Sequence, residues 1–457
     1  MPPTDQPIIT LSERFAPFAT KMRQAGVPSA AIQAFRYYYA QLVEGETGYI
    51  DSATAQPVSD LPIADDLAHY QPAGLAALDR LVVLKLNGGL GTSMGMNGPK
   101  ALVTVKDGLT FLDITVRQIL HLRQTYGTRL PLVFMNSFNT ERETRAALAA
   151  YPTLTQDVPL DFRHSQAPKI WQADLTPVTW PADPDKEWYP PGHGDIYLAL
   201  QTSGLLQTLL AQGYEYAFVS NADNLGATVD LSILGYFAEE NLPFLMEAAK
   251  RQPADRKGGH LAVHPDQGLI LREIAQCPPT EMALFQDIRR YCYFNTNNLW
   301  LHLPSIQQIL DEHQGFLALP LIRNEKVVDA SRPETPRVYQ LETAMGQAIA
   351  LFAQAQAVQV ARRRFLPVKV TNDLLALWSD LYVLNADYSI SINPARQNAQ
   401  ELVVDLDGRY YGQLAQLLAH FPDGAPSLVH RDHFRVAGDI YFAAEPVAKG
   451  VISKADN

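Results

Sequence analysis

One short stretch limits the folds open to this chain more than any other feature. Leu81-Val82-Val83-Leu84-Lys85-Leu86 is an apolar run of strand length that ends directly on Asn87-Gly88-Gly89-Leu90-Gly91-Thr92-Ser93-Met94-Gly95. Such a run, with no polar alternation, reads as a strand buried on both faces inside a sheet covered by helices. Leu132-Val133-Phe134-Met135 and Tyr216-Ala217-Phe218-Val219 are two more of the kind, each followed by polar residues and then a helical pattern. The alternation predicts an α/β fold with a largely parallel sheet. Thr110 starts one helix, with Asp113 as a capping-box variant and Leu112, Val116, Ile119 and Leu120 on one face. His260 to Ala275, centred on Asp266-Gln267-Gly268, reads as an antiparallel hairpin, so the sheet is expected to be mixed.

The flanks differ. Phe15 to Leu42 reads as two helices broken near Gly26-Val27-Pro28, with the aromatic run Arg36-Tyr37-Tyr38-Tyr39 packing onto the main domain. Gly45 to Asp65 is a polar connection. Near the C-terminus Phe434, Val436, Ile440 and Phe442 alternate with polar or small residues, and Val447, Gly450 and Val451 follow, as in the first coils of a parallel β-helix. About three repeats are needed for such a stack to stand alone, so this tail must lean on something else.

Composition removes several functions. The chain has 457 residues, enough for two or three domains, with 48 acidic against 37 basic side chains and a net charge of −11. That balance argues against nucleic-acid and membrane-surface partners, which need a basic face. Cys277 and Cys292 sit in no metal-ligand or redox spacing, which argues against a disulfide scaffold or structural zinc. Met1 to Thr10 lacks the cationic and apolar stretches of a signal peptide, and no apolar run approaches the ~18–20 residues that span a bilayer. A cytoplasmic location is expected.

The glycine loop is the first candidate site. Four glycines among residues 88–95 exceed what a tight turn needs, and consecutive exposed N–H groups make a concavity suited to phosphate. The dinucleotide fingerprint does not fit, because Gly89-x-Gly91-x-x-x-Gly95 is one residue too long and no helix pattern follows at once. The Walker loop does not fit either, because Pro99 separates Gly98 from Lys100 and Ala101 stands where a hydroxyl is required. Lys100 can still reach oxygens held by the loop, a contact worth roughly 1.5–3 kcal/mol. Lys106 reads as a solvated lysine.

Other candidates follow. Ser220-Asn221-Ala222-Asp223-Asn224 starts where a strand ends, the place where open α/β sheets collect ligands. Asp223 there can hold Mg²⁺ or cap a helix, with Thr228 as the alternative cap. Trp188-Tyr189-Pro190-Pro191-Gly192-His193-Gly194-Asp195 is a loop shaped for a ligand, with His193 read as a hydrogen-bond donor. Phe294-Asn295-Thr296-Asn297-Asn298 carries amides able to read sugar hydroxyls, or is a polar turn before the strand-like Leu299 to Leu303. In Arg362 to Lys369 the arginine run reads as a solvated face, and Lys369, beside Thr371 and Asp373, as an inward-facing phosphate ligand.

Together these blocks resemble a known family. Leu86 to Gly95 through Gly98-Pro99-Lys100 closely resembles the signature of the eukaryotic-type UTP–glucose-1-phosphate uridylyltransferases, the UDP-glucose pyrophosphorylase family. So do Trp188 to Asp195, Val219 to Asp230, Phe294 to Trp300 and Phe365 to Leu374, in the family's order across residues 80–385. The resemblance implies a Rossmann-like, GT-A-like nucleotidyltransferase domain over 76–384. It also implies a helical segment at 1–75 and a C-terminal domain with a truncated β-helix at 385–457. It implies a reversible, Mg²⁺-dependent reaction of UTP with glucose 1-phosphate that yields UDP-glucose and pyrophosphate.

Carried over by position, the resemblance gives Leu86, Asn87, Gly88 and Gly89 to the uridine and phosphates and Lys100 to the triphosphate. Gly192 contacts the uracil by backbone and His193 the sugar phosphate. Asn221, Ala222 and Asp223 border the sugar and metal, with Asp223 the ligand. Glu273, Asn295 and Asn297 face the glucose, and Lys369 bridges the phosphates. His164 stands where the family usually has a uracil-reading glutamine, with Gln166 the alternative if the alignment slips by two. Met96-Asn97 replaces the usual cysteine-lysine. The short tail points to a monomer or weak homo-oligomer.

The chemistry needs no general base. A sugar phosphate is mostly dianionic at pH 7, since its second pKa is near ~6. The obstacle is repulsion between polyanions, met by preorganised cations and in-line positioning. Lys100, Lys369 and Mg²⁺ on Asp223 are the expected catalytic set. The rivals are transfer to another sugar phosphate and a non-catalytic nucleotide-sugar sensor.

Overall fold

The apolar run ahead of the glycine loop forms the strand Leu81–Asn87, paired in parallel with Leu132–Asn136 from Val83↔Leu132 to Asn87↔Asn136. Leu81 to Leu84 and Leu132 to Phe134 are buried. Each such side chain contributes about 1.5–3 kcal/mol. The computed structural model of the chain describes residues 10–397 and 402–442. They fall into two compact units, each assembled from separate segments. The first comprises residues 10–67, Phe162–Ala217 and Phe237–Val360, and the second Ala68–Asp161, Phe218–Tyr236 and residues 361–397 and 402–442.

In the second unit, the Phe218–Asn221 part of the strand Tyr216–Asn221 lies beside Leu81–Asn87, on the edge away from Leu132–Asn136. The helix Phe111–Tyr126 starts as its sequence predicts. Thr110 Oγ1 accepts from Asp113 N at 3.1 Å and the Asp113 carboxylate accepts from Thr110 N at 2.9 Å. Gly127, at φ +66°, ends it. The helix Leu231–Glu239 is capped by Asp230 rather than Thr228: Asp230 Oδ1 accepts from Ser232 N at 2.9 Å. The expected Thr228 cap falls two residues too early, because residues 224–228 fold into a turn first.

Toward the C-terminus, Val403–Leu406 pairs in parallel with His433–Val436, with the helices Gly408–Tyr411 and Leu414–His420 between them. Phe434, Val436 and Ile440 are buried and Phe442 is half-buried. Val447, Gly450 and Val451 lie outside the described residues.

The first unit carries a mixed sheet. Phe244–Lys250 runs antiparallel to Tyr293–His302 on one side and parallel to Gln356–Val360 on the other. The hairpin expected around Gly268 is present: His260–His264 pairs with Gly268–Arg272, from His260↔Arg272 to His264↔Gly268. Phe294 to Asn298 is not a turn ahead of a strand. It lies within the strand, which ends at His302, and Leu303 begins a helix. The two N-terminal helices, Leu11–Gln24 and Ser29–Val43, pack Phe15, Phe18, Phe35 and Tyr39 into one aromatic cluster that also takes in Ile170, Tyr189, Leu321 and Leu341. Among the described residues, no helix is long and apolar enough to cross a membrane.

Candidate active site

The glycine loop folds back on itself. Leu90 bridges Pro99 in antiparallel fashion, Lys100 N donates to Gly89 O at 3.2 Å, and Gly91 N donates to Gly98 O at 3.4 Å. Only the 3₁₀ turn Thr92–Met94 follows, closed by Gly95 at φ +69°, as the missing helix pattern led us to expect. This fold-back carries Lys100 beside the exposed Gly89. The Lys100 ammonium meets Asp223 Oδ2 at 2.5 Å. Asp223 sits just past the strand Tyr216–Asn221, where Ala222 N donates to Leu86 O at 3.0 Å. Leu86, Gly89, Lys100, Ala222 and Asp223 thus converge within one unit. Asn87 contributes differently. Its amide hydrogens are both spent internally, on Asn136 Oδ1 and Thr144 Oγ1 at 2.8 Å each, so the side chain braces the loop.

Lys369 belongs to the same unit. Ser93 Oγ, in the glycine loop, donates to Lys369 O at 2.8 Å, and the Lys369 ammonium lies 5.8 Å from the Phe365 ring centre. The residue is exposed rather than inward-facing. The helix Thr371–Trp378 starts two residues later, and Asp373 accepts from both Lys369 N and Val370 N, so Val368 is the residue turned inward. An exposed ammonium anchored by its backbone suits an anionic ligand better than a buried one.

Two cations differ from their sequence readings. Arg364 is buried, donating to Thr228 O at 2.9 Å and lying 3.8 Å from Asp230. It is a brace, not part of a solvated face. Lys106 donates to Ser379 O at 2.6 Å, and burial lowers its pKa. Sequence reasoning also passed over Lys85, which is buried and donates to Ser220 Oγ at 2.7 Å and Ala227 O at 2.9 Å. A lysine inside an otherwise apolar strand was the available signal.

The base- and sugar-facing candidates lie in the first unit. The loop around His193 is laced to residues 343–345: Thr343 N donates to Pro191 O at 3.2 Å, Gly194 N to Thr343 O at 2.9 Å, and Met345 N to His193 Nδ1 at 3.0 Å. The last bond makes Nδ1 an acceptor, so the neutral ring carries its proton on Nε2. Burial holds the His193 pKa at about 4, so the ring is a neutral donor at physiological pH. Gly192 has φ +82°, and a Cβ there would fall 2.5 Å from Thr343 O. Only glycine fits.

His164 has the opposite tautomer. Its Nδ1 lies 2.6 Å from the Ser165 carbonyl, which can only accept, leaving Nε2 as the acceptor. Burial lowers its pKa. The adjacent Ser165 N donates to the buried Asp195 carboxyl at 2.6 Å, and burial raises the Asp195 pKa to about 7. Asn295 and Asn297 are hydrogen-bonded to each other, with Asn295 Nδ2 on Asn297 Oδ1 at 2.7 Å and Asn297 N on Asn295 Oδ1 at 2.9 Å. A register shift opposite Glu247 and Ala248, with Asn297 at φ +59°, produces this arrangement. Glu273 joins them. Its carboxylate lies so close to Gly259 that a Cβ there would be 2.5 Å from Oε2, and Gly259 O accepts from Asn295 N at 3.0 Å.

Among the described residues no three histidine, cysteine or acidic side chains cluster as a metal cage. The Asp223 carboxylate is of the kind Mg²⁺ takes, an ion that uses one or two carboxylates and completes its shell with substrate phosphates and water.

Residues 32–449 match the family described as UTP--glucose-1-phosphate uridylyltransferase. A probable enzyme of that name from Schizosaccharomyces pombe is 45% identical over 376 residues, 82% of this chain and 73% of the relative. The Hordeum vulgare enzyme is 41% identical over 420 residues, 91% and 86% of the two chains. Among solved structures, a variant of UDP-glucose pyrophosphorylase from Leishmania major, in complex with UDP-glucose, superposes with a TM-score of 0.87 at 45% identity, covering 94% of this chain and 92% of its own. A Trypanosoma brucei structure gives 0.84 at 43% identity, covering 92% and 90%. Matched over most of its length in both sequence and fold, this chain is an enzyme of the UTP–glucose-1-phosphate uridylyltransferase family.

Proposed function

We propose that the enzyme makes UDP-glucose and pyrophosphate from UTP and glucose 1-phosphate by in-line attack of the sugar phosphate on the α-phosphorus, with Mg²⁺. The observation that carries this reading is the ion pair between Lys100 and Asp223 beside the fold-back of the glycine loop. A glycine loop open at Gly89, an ammonium and a single hard carboxylate are what a polyphosphate–metal complex requires. Asp223 would hold the ion, and Lys100, paired with it, would turn to the phosphates. Bound Mg²⁺ would neutralise charge on the reacting phosphoryl oxygens. Lys369 adds a second ammonium from the exposed segment ahead of the helix Thr371–Trp378.

The nucleophile arrives already ionised, so the neutral His193 is not asked to remove a proton. Its Nε2–H donates to the sugar phosphate and orients it. The acceptor at His164 Nε2 suits the N3–H of uracil, and the asparagine pair with Glu273 offers donors and acceptors to glucose hydroxyls. The protein is proposed to act in the cytoplasm.

The test is pyrophosphate release from UTP and glucose 1-phosphate, with and without Mg²⁺, alongside galactose 1-phosphate and N-acetylated sugar phosphates. Release with glucose 1-phosphate, abolished by chelation, is the expected result. Binding of UDP-glucose with no release would identify a sensor instead, and preference for another sugar would reassign the substrate.

A further inference from the structure

We infer that Asn224 is a positioning residue that sets where the Lys369 ammonium stands relative to Asp223; this rests on the phosphate role proposed for Lys369. Asn224 follows Asp223 directly and is buried, at 2% exposure. Its side chain reaches across about 140 residues of sequence to the segment that leads into Lys369. Nδ2 donates to Arg364 O at 3.1 Å, while Oδ1 accepts from Leu366 N at 2.8 Å and from Gly226 N at 3.2 Å. Asn224 and Pro367 also form an isolated antiparallel bridge.

Proline explains why a side chain does this work. Pro367 has no N–H, so a regular ladder between the two segments would lack a donor at that point. The carboxamide supplies donor and acceptor together, adding to the single backbone bridge. It fixes Phe365, Leu366 and Pro367, and the Lys369 ammonium rests over the Phe365 ring. Another tether on this segment, Ser93 Oγ on Lys369 O, is exposed to solvent, where a hydrogen bond contributes little net stability. Asn224 is a buried fixture joining the residue after Asp223 to the segment that leads into Lys369. Arg364 braces the same segment independently through Thr228 O and Asp230, so loss of the Asn224 carboxamide should displace Lys369 without unfolding the unit.

The experiment is a double-mutant cycle on the full chain, using Asn224→Ala, Lys369→Ala and the double variant. Steady-state kinetics are measured for UTP and glucose 1-phosphate, with thermal melts for each protein. A misplacement of about 1 Å can cost roughly 100-fold in rate. Asn224→Ala is accordingly expected to lower kcat by roughly 10–100-fold while KM for UTP moves about threefold or less. In the Lys369→Ala background the same change should cost about twofold or less.

An equal loss in both backgrounds would show that Asn224 acts without Lys369 and would overturn the inference while leaving the reading of Lys369 intact. Near-normal turnover of Lys369→Ala alone would overturn that reading, and the inference with it. Should Asn224→Ala not fold, Asn224→Asp completes the cycle. It keeps the acceptor for Leu366 and Gly226 and discards the donor to Arg364 O, so a smaller loss, again absent without the Lys369 ammonium, is expected.

Discussion

At the scale of single residues, protonation is set by which backbone group each side chain meets. His193 Nδ1 accepts a hydrogen bond from Met345 N–H, whereas His164 Nδ1–H donates one to the Ser165 carbonyl, so two histidines of the same loop system present opposite tautomers. Asp195 shows the energetic side. Burial lifts its pKa from 3.8 to about 7, so the folded state keeps a proton that the unfolded chain releases. Stability associated with this group is therefore greatest below the unfolded pKa and falls as pH rises through the window from 3.8 to about 7. Asp195→Asn keeps an acceptor for Ser165 N–H and removes the charge. The variant should melt roughly 3–6 °C above wild type at pH 8, with the gap closing toward pH 4.5. A gap independent of pH would exclude titration of Asp195 as its cause. None of this was visible in sequence, because Asp195 looked like one polar member of a Pro-Gly loop. Its hydrogen-bond partner, Ser165, lies 30 positions away.

At the scale of elements, strands and helices were legible where local signals agree. The apolar run before the glycines, the Thr110 capping box and the Gly268 hairpin formed as read, since each depends on neighbours within a few residues. The asparagine-rich Phe294–Asn298 was not legible as strand. Asparagine disfavours strands locally, and only pairing with Phe244–Lys250, including the shift opposite Glu247, overrides that preference. The helix Gln71–Ala77 meets Leu231–Glu239 at another contact invisible locally. A Cβ on Gly74 would lie 1.8 Å from Leu231 O, and one on Gly235 would lie 1.9 Å from Tyr70 O. Backbone atoms cannot move aside as a flexible side chain can. Gly235→Ala should cost about 3 kcal/mol or more by overpacking, read as a lower urea midpoint at unchanged m-value. An unshifted midpoint would mean that the two helices separate at little cost.

At the scale of the whole molecule, charge is the governing quantity. A protein of net charge −11 must capture two polyanionic substrates, so its distant field repels what its local ammonium groups attract. The Debye length falls from about 30 Å at 0.01 M salt to about 10 Å at 0.1 M, which screens the distant field before the contact pairs. kcat/KM for UTP should therefore rise over that range at fixed Mg²⁺, and a monotonic fall would mean that local cations dominate even at long range. The family signature was readable because its residues stand in short contiguous blocks, among them Leu86 to Lys100 and Asn221 to Asp223. Sequence by itself therefore determined the mixed α/β class, the order of the chemical blocks and the identity of the charged groups. Only the tertiary structure decided that Lys100 closes on Asp223, that Arg364 is a buried brace rather than a solvated cation, and that Asn224 ties the two segments together. Those contacts join residues far apart in the chain, and the free energy that selects them comes from burial and hydrogen bonding between segments, which no local propensity encodes.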